Sequence, residues 1–157
     1  MSLDQDIELL SQVALFDEFH TEHLRLLAFG ANKISVQPGS EIFQYGATAD
    51  SGYIISSGTV EIFSGNQQDD KIIGQFGRAS LIGELAMISK SKRNTTAIAK
   101  DNVELIEITR TLFRRMLLEY PDLAINIHAK ISNNVQSFIT RLQRIQWELD
   151  RTDTVSS

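Results

Sequence analysis

Leu81-Ile-Gly-Glu-Leu-Ala-Met-Ile-Ser-Lys-Ser-Lys-Arg-Asn-Thr-Thr-Ala-Ile-Ala99 is the stretch from which the fold of this chain can be predicted. Gly83 lets the backbone approach a ligand closely, and the residues after it predict one turn of helix whose free amides face an anion. Arg93 follows on a loop, and Thr95 begins a return to strand composition. One helix start is therefore flanked by two charged groups: the Glu84 carboxylate, which suits sugar hydroxyls, and the Arg93 guanidinium, which suits phosphate. This pattern predicts a pocket for a phosphorylated sugar.

These residues resemble the phosphate-binding cassette of cyclic nucleotide-binding domains, in which Gly-Glu-Leu-Ala is followed by an Arg and by small residues that enter a strand. Upstream, Val36-Gln-Pro-Gly-Ser-Glu-Ile-Phe43, Gly46 and Tyr53-Ile-Ile-Ser-Ser-Gly-Thr-Val60 resemble the strands and turns that open the barrel of that family. From Arg93 to Pro121 the chain is similar, without a gap, to the catabolite activator type. The resemblance covers roughly residues 7–150, and its motifs occur in order at the family spacing.

The resemblance implies a mainly β domain with flanking helices. We expect an eight-stranded antiparallel jelly roll (a double-stranded β-helix), N-terminal helices and a long C-terminal dimerisation helix. Short β-branched runs separated by Gly, Pro, Asn and Asp agree with this, because they predict many short strands. The expected divisions of the single domain, residues 1–157, are N-terminal helices over 1–32, the roll over 33–109 with its cassette at 79–97, and C-terminal helices over 110–150.

Composition limits the classes of function. The 157 residues are enough for one buried core, and the net charge of −5 argues against a nucleic-acid binder. The sequence lacks cysteine, which excludes disulfides and thiolate chemistry. It starts polar and has no long apolar run, so we expect a cytoplasmic protein that does not enter a membrane. No catalytic constellation is evident, and His20, His23 and His128 do not make a metal site. We therefore expect neither an enzyme nor a bound cofactor.

The resemblance assigns ligand contacts to the cassette. Arg93 would bind two oxygens of a cyclic phosphodiester, although a surface Arg beside Lys90 and Lys92 is the alternative interpretation of the same residues. Glu84 would accept a hydrogen bond from a ribose hydroxyl, although a Glu at a helix N-terminus is also favoured by the helix dipole. The remaining contacts would come from Gly83, the amides of Leu85 and Ala86, and the amide and hydroxyl of Thr95.

Three further residues bear on recognition of the base. Asn94 stands where relatives mostly carry Ala, Ser or Thr, and its amide would read either the phosphate or the base, or remain solvated. Phe138 falls in the final helix where the catabolite activator type offers a polar pair to the adenine; it would stack on a purine or pack in a heptad seam. Arg141, one turn later, would stack over the base instead. We expect weak discrimination between cAMP and cGMP.

One departure from the family concerns a turn. The family often has a Gly five residues before the cassette Glu, and here that position is Ala79. Gly carries no penalty in a left-handed conformation, whereas Ala does. The geometry of this turn is therefore open on the sequence alone.

The final helix carries apolar residues at 4-3-4-3-4 spacing, which predicts a heptad seam. We expect a homodimer through this seam, with packing on the chain's own barrel as the alternative. Its members are Ile131, Val135, Phe138, Leu142, Ile145 and Leu149.

The function that the resemblance implies is a sensor of a 3′,5′-cyclic nucleotide, cAMP or else cGMP. Its ligand-capped C-terminal helix would signal to an unidentified protein partner. Alternatives are an interaction module that has lost its ligand and a sensor domain excised from a DNA-binding regulator. Because the sequence stops at Ser157, we expect no DNA binding by this chain alone.

Overall fold

A β-roll packed against a layer of helices is the main feature of the computed structural model, which describes residues 2–65 and 71–133. Helices α1 (Leu3–Ser11) and α2 (Thr21–Gly30) precede the roll, and α3 (Arg110–Glu119) follows it. A fourth helix, α4, covers residues 121–133. Thr109 caps α3, since its Oγ1 accepts a hydrogen bond from the amide of Leu112 at 3.1 Å. The prediction of a mainly β domain with flanking helices is confirmed.

The strands of the described residues form two four-stranded antiparallel sheets and one two-stranded ribbon. Their bounds are β1 (Asn32–Val36), β2 (Glu41–Phe43), β3 (Thr48–Ala49), β4 (Ser51–Ser57), β5 (Val60–Phe63), β6 (Ile72–Phe76), β7 (Leu81–Ile82), β8 (Ser91–Lys92), β9 (Thr96–Ala99) and β10 (Val103–Thr109). The first sheet has the order β1-β10-β4-β7, the second has the order β2-β9-β5-β6, and β3 pairs with β8. The sequence predicted eight strands; the described residues contain ten, of which eight form the two sheets.

The first sheet separates two hydrophobic cores. Side chains alternate across a strand, so neighbouring residues face opposite sides. On β4, Ile54 lies in the core shared with the helices, whereas Ile55 lies in the interior of the roll. On β10, Ile106 and Leu105 divide in the same way. One face of this sheet therefore packs against the helices, and the other face lines the interior of the roll.

Helix α4 packs on the N-terminal helices of its own chain. Ile131 is fully buried in the helical core, and Lys130 Nζ pairs with Asp17 Oδ1 at 2.5 Å. The prediction that Ile131 contributes to a dimer seam is therefore corrected, because its side chain is already covered by its own chain. The other five seam residues lie outside the described residues.

The turn before the cassette keeps a left-handed backbone without glycine. Ala79 has φ +69°, the one positive φ of a non-glycine residue in the described part of the chain. Its amide donates to the carbonyl of Ile55 at 2.8 Å, and the amide of Ser80 donates to the carbonyl of Gly77 at 3.1 Å. These bonds hold the turn in a conformation that costs an Ala roughly 1–2 kcal/mol.

We expect Ala79→Gly to stabilise the fold by about 0.5–1 kcal/mol, because the relief of strain exceeds the extra entropy that Gly gives the unfolded chain. Urea denaturation measures the difference. Ala47→Gly is the control, since Ala47 is also in a turn but has no positive φ, and that change should destabilise slightly. A loss of stability in both variants would contradict the strain at Ala79.

Candidate functional site

The turn after β7 is shaped by two glycines. Gly83 is left-handed, with φ +72° and ψ +30°, and the chain then forms a 3-10 turn over Glu84–Met87. A Cβ on Gly52 would lie 2.6 Å from the sulfur of Met87, so glycine there lets the turn pack tightly on β4. The amide of Ala86 donates to the carbonyl of Gly83 at 3.3 Å. The Ala86 amide, predicted as part of an anion cradle, therefore closes the turn in this structure.

The backbone of Arg93 is held by the loop between β2 and β3. Its amide donates to the carbonyl of Ala47, and its carbonyl accepts from the amide of Gly46, each at 2.8 Å. β8 ends one residue earlier and pairs with β3. Both polar groups of this peptide are thus satisfied, and the arginine starts from a fixed position.

The Arg93 side chain is buried beside Gly83, with 7% of the residue exposed. Its Nη2 donates to the carbonyl of Ser51 at 2.7 Å, and its Cζ lies 4.3 Å from the ring centre of Phe43 and 5.6 Å from that of Tyr53. Burial lowers the pKa of the guanidinium from its ordinary value, yet arginine remains charged in proteins. Among residues 2–65 and 71–133 no carboxylate forms an ion pair with it. A buried cation without an ion-paired carboxylate is chemically suited to an anion.

Glu84 supplies the carboxylate of the site. Its side chain is half-buried in the 3-10 turn, and burial raises the pKa of its carboxyl above the ordinary value while a hydrogen bond from its own amide opposes this. In the described part of the chain Glu84 has no ion pair with Arg93 or any other cation. The carboxylate can therefore accept hydrogen bonds from hydroxyl groups of a ligand.

The other predicted site residues differ in position. Thr95 is buried, Asn94 is exposed, and Leu85 is half-buried against the helical core. The structure thus places Gly83, Glu84 and the Arg93 guanidinium together, with Asn94 at the surface. Phe138 and Arg141 lie outside the described residues.

Sequence reasoning missed residues that support the site from other strands. Phe43, Ser51 and Tyr53 contact Arg93 from 40–50 positions earlier in the chain. Thr96 Oγ1 accepts from the amide of Tyr45 at 3.0 Å and donates to the carbonyl of Gly65 at 2.7 Å. An aromatic or hydroxyl residue within a strand carries no local signal for such a contact, because strand pairing decides it.

Gly83→Ala should weaken ligand binding by about tenfold to a hundredfold, the scale of a steric shift of roughly 1–3 kcal/mol. The new Cβ would lie 2.5 Å from Arg93 Nη1, and the end of a flexible side chain would move away. The substitution should therefore reduce ligand affinity more than it reduces the stability of the fold. Calorimetric titration with cAMP, beside thermal unfolding, measures both.

The control for that substitution is Gly39→Ala. Gly39 also has a positive φ, +83°, but nothing lies within 4 Å of an added Cβ. It should show the same backbone strain with unchanged affinity. Equal affinities of Gly83→Ala and Gly39→Ala would contradict the predicted close approach of Gly83 to Arg93.

Two further observations concern the described residues. No group of three or more His, Cys, Asp or Glu side chains in residues 2–65 and 71–133 is arranged to hold a metal ion. None of the helices in this part of the chain combines the length and apolar character required to span a bilayer.

The roll, its helical layer, the 3-10 turn after β7 and the buried arginine after β8 are features of a cyclic nucleotide-binding domain. Residues 33–120 match the family model described as "Cyclic nucleotide-binding domain". The chain belongs to this family. A solved structure of a cyclic nucleotide-binding-like protein from Brucella abortus is 41% identical in sequence, with a TM-score of 0.65, and the match covers 73% of this chain and 98% of that one.

Two curated relatives are much longer proteins. The cAMP-dependent protein kinase regulatory subunit of Eremothecium gossypii is 34% identical over 104 residues, which cover 66% of this chain and 22% of that protein. Lysophospholipase NTE1 of Pyricularia oryzae is 30% identical over 112 residues, which cover 71% of this chain and 8% of that protein. The chain therefore spans less than a quarter of either relative.

Proposed function

We propose that this chain binds a 3′,5′-cyclic nucleotide, with cAMP as the leading candidate and cGMP as the alternative, and acts as a regulatory sensor. The observation that carries the proposal is Arg93, a buried cation without an ion-pairing carboxylate among the described residues. A cyclic phosphodiester has one negative charge and two exocyclic oxygens, which match the charge and the forked donors of a guanidinium.

The ribose would lie against Glu84. Its half-buried carboxylate follows Gly83 directly and has no cation of its own in the described part of the chain. A ribose 2′-hydroxyl donating to this carboxylate would be a charge-assisted hydrogen bond, which is stronger than a neutral one. The choice of cAMP is further supported by the relative from Eremothecium gossypii, whose name includes cAMP dependence.

The signal would pass through the helices to a protein partner. Lys130 on α4 pairs with Asp17 at 2.5 Å and lies 3.6 Å from Glu18, so α4 contacts the N-terminal part of the chain. A nucleotide shifts such an arrangement only if it binds two helix positions with unequal affinity. We propose a binding role without catalysis, a cofactor or DNA binding, in the cytoplasm.

Isothermal titration with cAMP, cGMP and cyclic di-GMP tests the proposal. We expect one site per chain for the two mononucleotides, with affinities that differ by less than about a hundredfold, equivalent to roughly 2.7 kcal/mol. An interaction module that has lost its ligand would give no heat with any of them and no thermal stabilisation. A preference above that limit would require a polar side chain that hydrogen-bonds to the base. Asn94 and Arg141 would then be the first residues to substitute.

We also propose a homodimer through the part of the heptad seam beyond Ile131. The residues with this spacing are Val135, Phe138, Leu142, Ile145 and Leu149. Light scattering should give the mass of two chains for the parent and of one chain for Leu142→Glu, because a buried charge at a seam position is costly. His128→Glu, at an exposed position of α4, is the control and should remain dimeric. A parent with the mass of one chain would overturn the interface.

A further inference from the structure

Two aromatic rings from different sheets lie next to the Arg93 guanidinium. Phe43 lies on β2 and Tyr53 on β4, which belong to different sheets. Their ring centres are 6.1 Å apart with an interplanar angle of 23°. The Cζ of Arg93 is 4.3 Å from the first ring centre and 5.6 Å from the second. A Cβ on Gly83 would reach within 3.6 Å of the Phe43 ring, so this ring lies near the glycine as well as the guanidinium.

This arrangement stabilises the cation without neutralising it. A buried guanidinium usually has a carboxylate partner, and such a partner would compete with an incoming phosphate. An aromatic face attracts the cation through its quadrupole and carries no net charge. Asp50 and Glu107 attract Arg93 electrostatically, but neither forms an ion pair with it among the described residues. No described carboxylate is therefore ion-paired with the guanidinium in competition with a ligand.

The Tyr53 hydroxyl has contacts of its own, and one of them is a hydrogen-bond interaction with Arg93. Its hydroxyl lies 3.4 Å from Ser51 Oγ, which donates to Glu107 Oε2 at 2.8 Å. Burial raises the pKa of the phenol above its ordinary value, so the ring stays neutral near pH 7. Substitution by Phe or by Leu therefore separates the contacts of the hydroxyl, including the one with Arg93, from those of the ring.

We propose that Phe43 and Tyr53 are positioning residues for nucleotide binding: their rings hold the Arg93 guanidinium in place beside Gly83 and leave its charge unneutralised. The inference rests on the proposed function, and it adds two residues that do not themselves contact the phosphate. The carbonyl of Ser51, 2.7 Å from Arg93 Nη2, fixes one end of the guanidinium. Contacts with the two rings add to this hydrogen bond in restraining the guanidinium.

Calorimetry with cAMP on Phe43→Leu tests the inference. Leucine keeps an apolar side chain but removes the quadrupole, and we expect affinity to fall about three- to thirtyfold, the scale of a desolvated cation–π contact. The matched control is Phe76→Leu. Phe76 is also half-buried, packs on the same core in the roll and lies on the opposite edge strand of the same sheet. The affinity of Phe76→Leu for cAMP should differ from that of the parent by less than about twofold, although the variant should lose about as much thermal stability as Phe43→Leu.

Tyr53 provides the second comparison. Tyr53→Phe keeps the ring but removes the hydroxyl contacts, including the one with Arg93, so it should lose less affinity than Tyr53→Leu, which should weaken binding as Phe43→Leu does. A direct measure of position is the ligand-free NMR resonance of Arg93 Nε–Hε, assigned by its absence in Arg93→Lys. We expect Phe43→Leu to shift and broaden this resonance because the ring and the restraint are lost, and Phe76→Leu to leave it unchanged.

The possible failures are distinct. If the parent binds neither cAMP nor cGMP, the proposed function fails, and the positioning role fails with it. If the parent binds but Phe43→Leu and Phe76→Leu lose affinity equally, the proposed function stands and the inference is overturned. An Arg93 resonance that is unchanged in Phe43→Leu would also overturn it.

Discussion

Arg93→Ala is expected to reduce the affinity for cAMP by roughly 2–5 kcal/mol, which corresponds to about thirtyfold to several thousandfold. The guanidinium is the charged partner of the phosphate in the proposed complex, and its burial beside Gly83 means that no solvent would replace it fully. Without it, a desolvated phosphate would lack a counter-charge. Titration calorimetry on the variant and the parent, at matched salt, measures the difference.

The control for Arg93 is another arginine with a similar backbone contact. Arg78 Nη1 donates to the carbonyl of Ser56 at 3.2 Å, as Arg93 does to that of Ser51, but Arg78 is exposed. Arg78→Ala should leave nucleotide affinity unchanged. The ligand-free stability of Arg93→Ala should stay close to that of the parent, because the substitution also removes a costly buried charge. Equal affinity of Arg93→Ala and the parent would refute the assignment of the phosphate site.

Gly58→Ala is expected to have the largest effect on the fold itself, a loss of roughly 3 kcal/mol or more. Gly58 has φ +89°, and an added Cβ would lie 2.3 Å from the backbone oxygen of Asn102 and 2.9 Å from Asp101 Oδ1. The backbone oxygen of Asn102 cannot move away as the end of a flexible side chain can. The same two turns are joined by hydrogen bonds from the amide of Thr59 to Asp101 Oδ1 and from the amide of Lys100 to the carbonyl of Thr59, so separating them would weaken both.

Chemical denaturation in urea measures this loss as a shift of the midpoint. Gly46→Ala is the control, since Gly46 has φ +84° but nothing within 4 Å of an added Cβ. It should lose only about 1 kcal/mol, from backbone strain. If the two variants were equally stable, the close contact between the turns at Gly58 and Asn102 would be disproved.

The fold and the centre of the site were predictable because their signals are local. Gly83, Glu84 and Arg93 lie within 11 consecutive positions, and their chemistry in that order indicated a phosphate site. Thr109 stands just before the apolar pattern of α3, where a capping residue is expected, and its side chain caps that helix. Short β-branched runs between turn residues predicted the longer strands, but not the two-residue strands β3, β7 and β8, which are too short to have a pattern.

The sequence by itself thus determined the class of fold and the segment from Gly83 to Arg93, since local composition and spacing carry that information. Tertiary structure decided which distant residues surround them. Phe43 and Tyr53 approach Arg93 because β2 and β4 belong to facing sheets. Ile131 is buried in the helical core of its own chain. The heptad spacing indicated an apolar stripe on this helix but not what packs against that stripe. The physical reason is that burial and strand pairing depend on the whole fold.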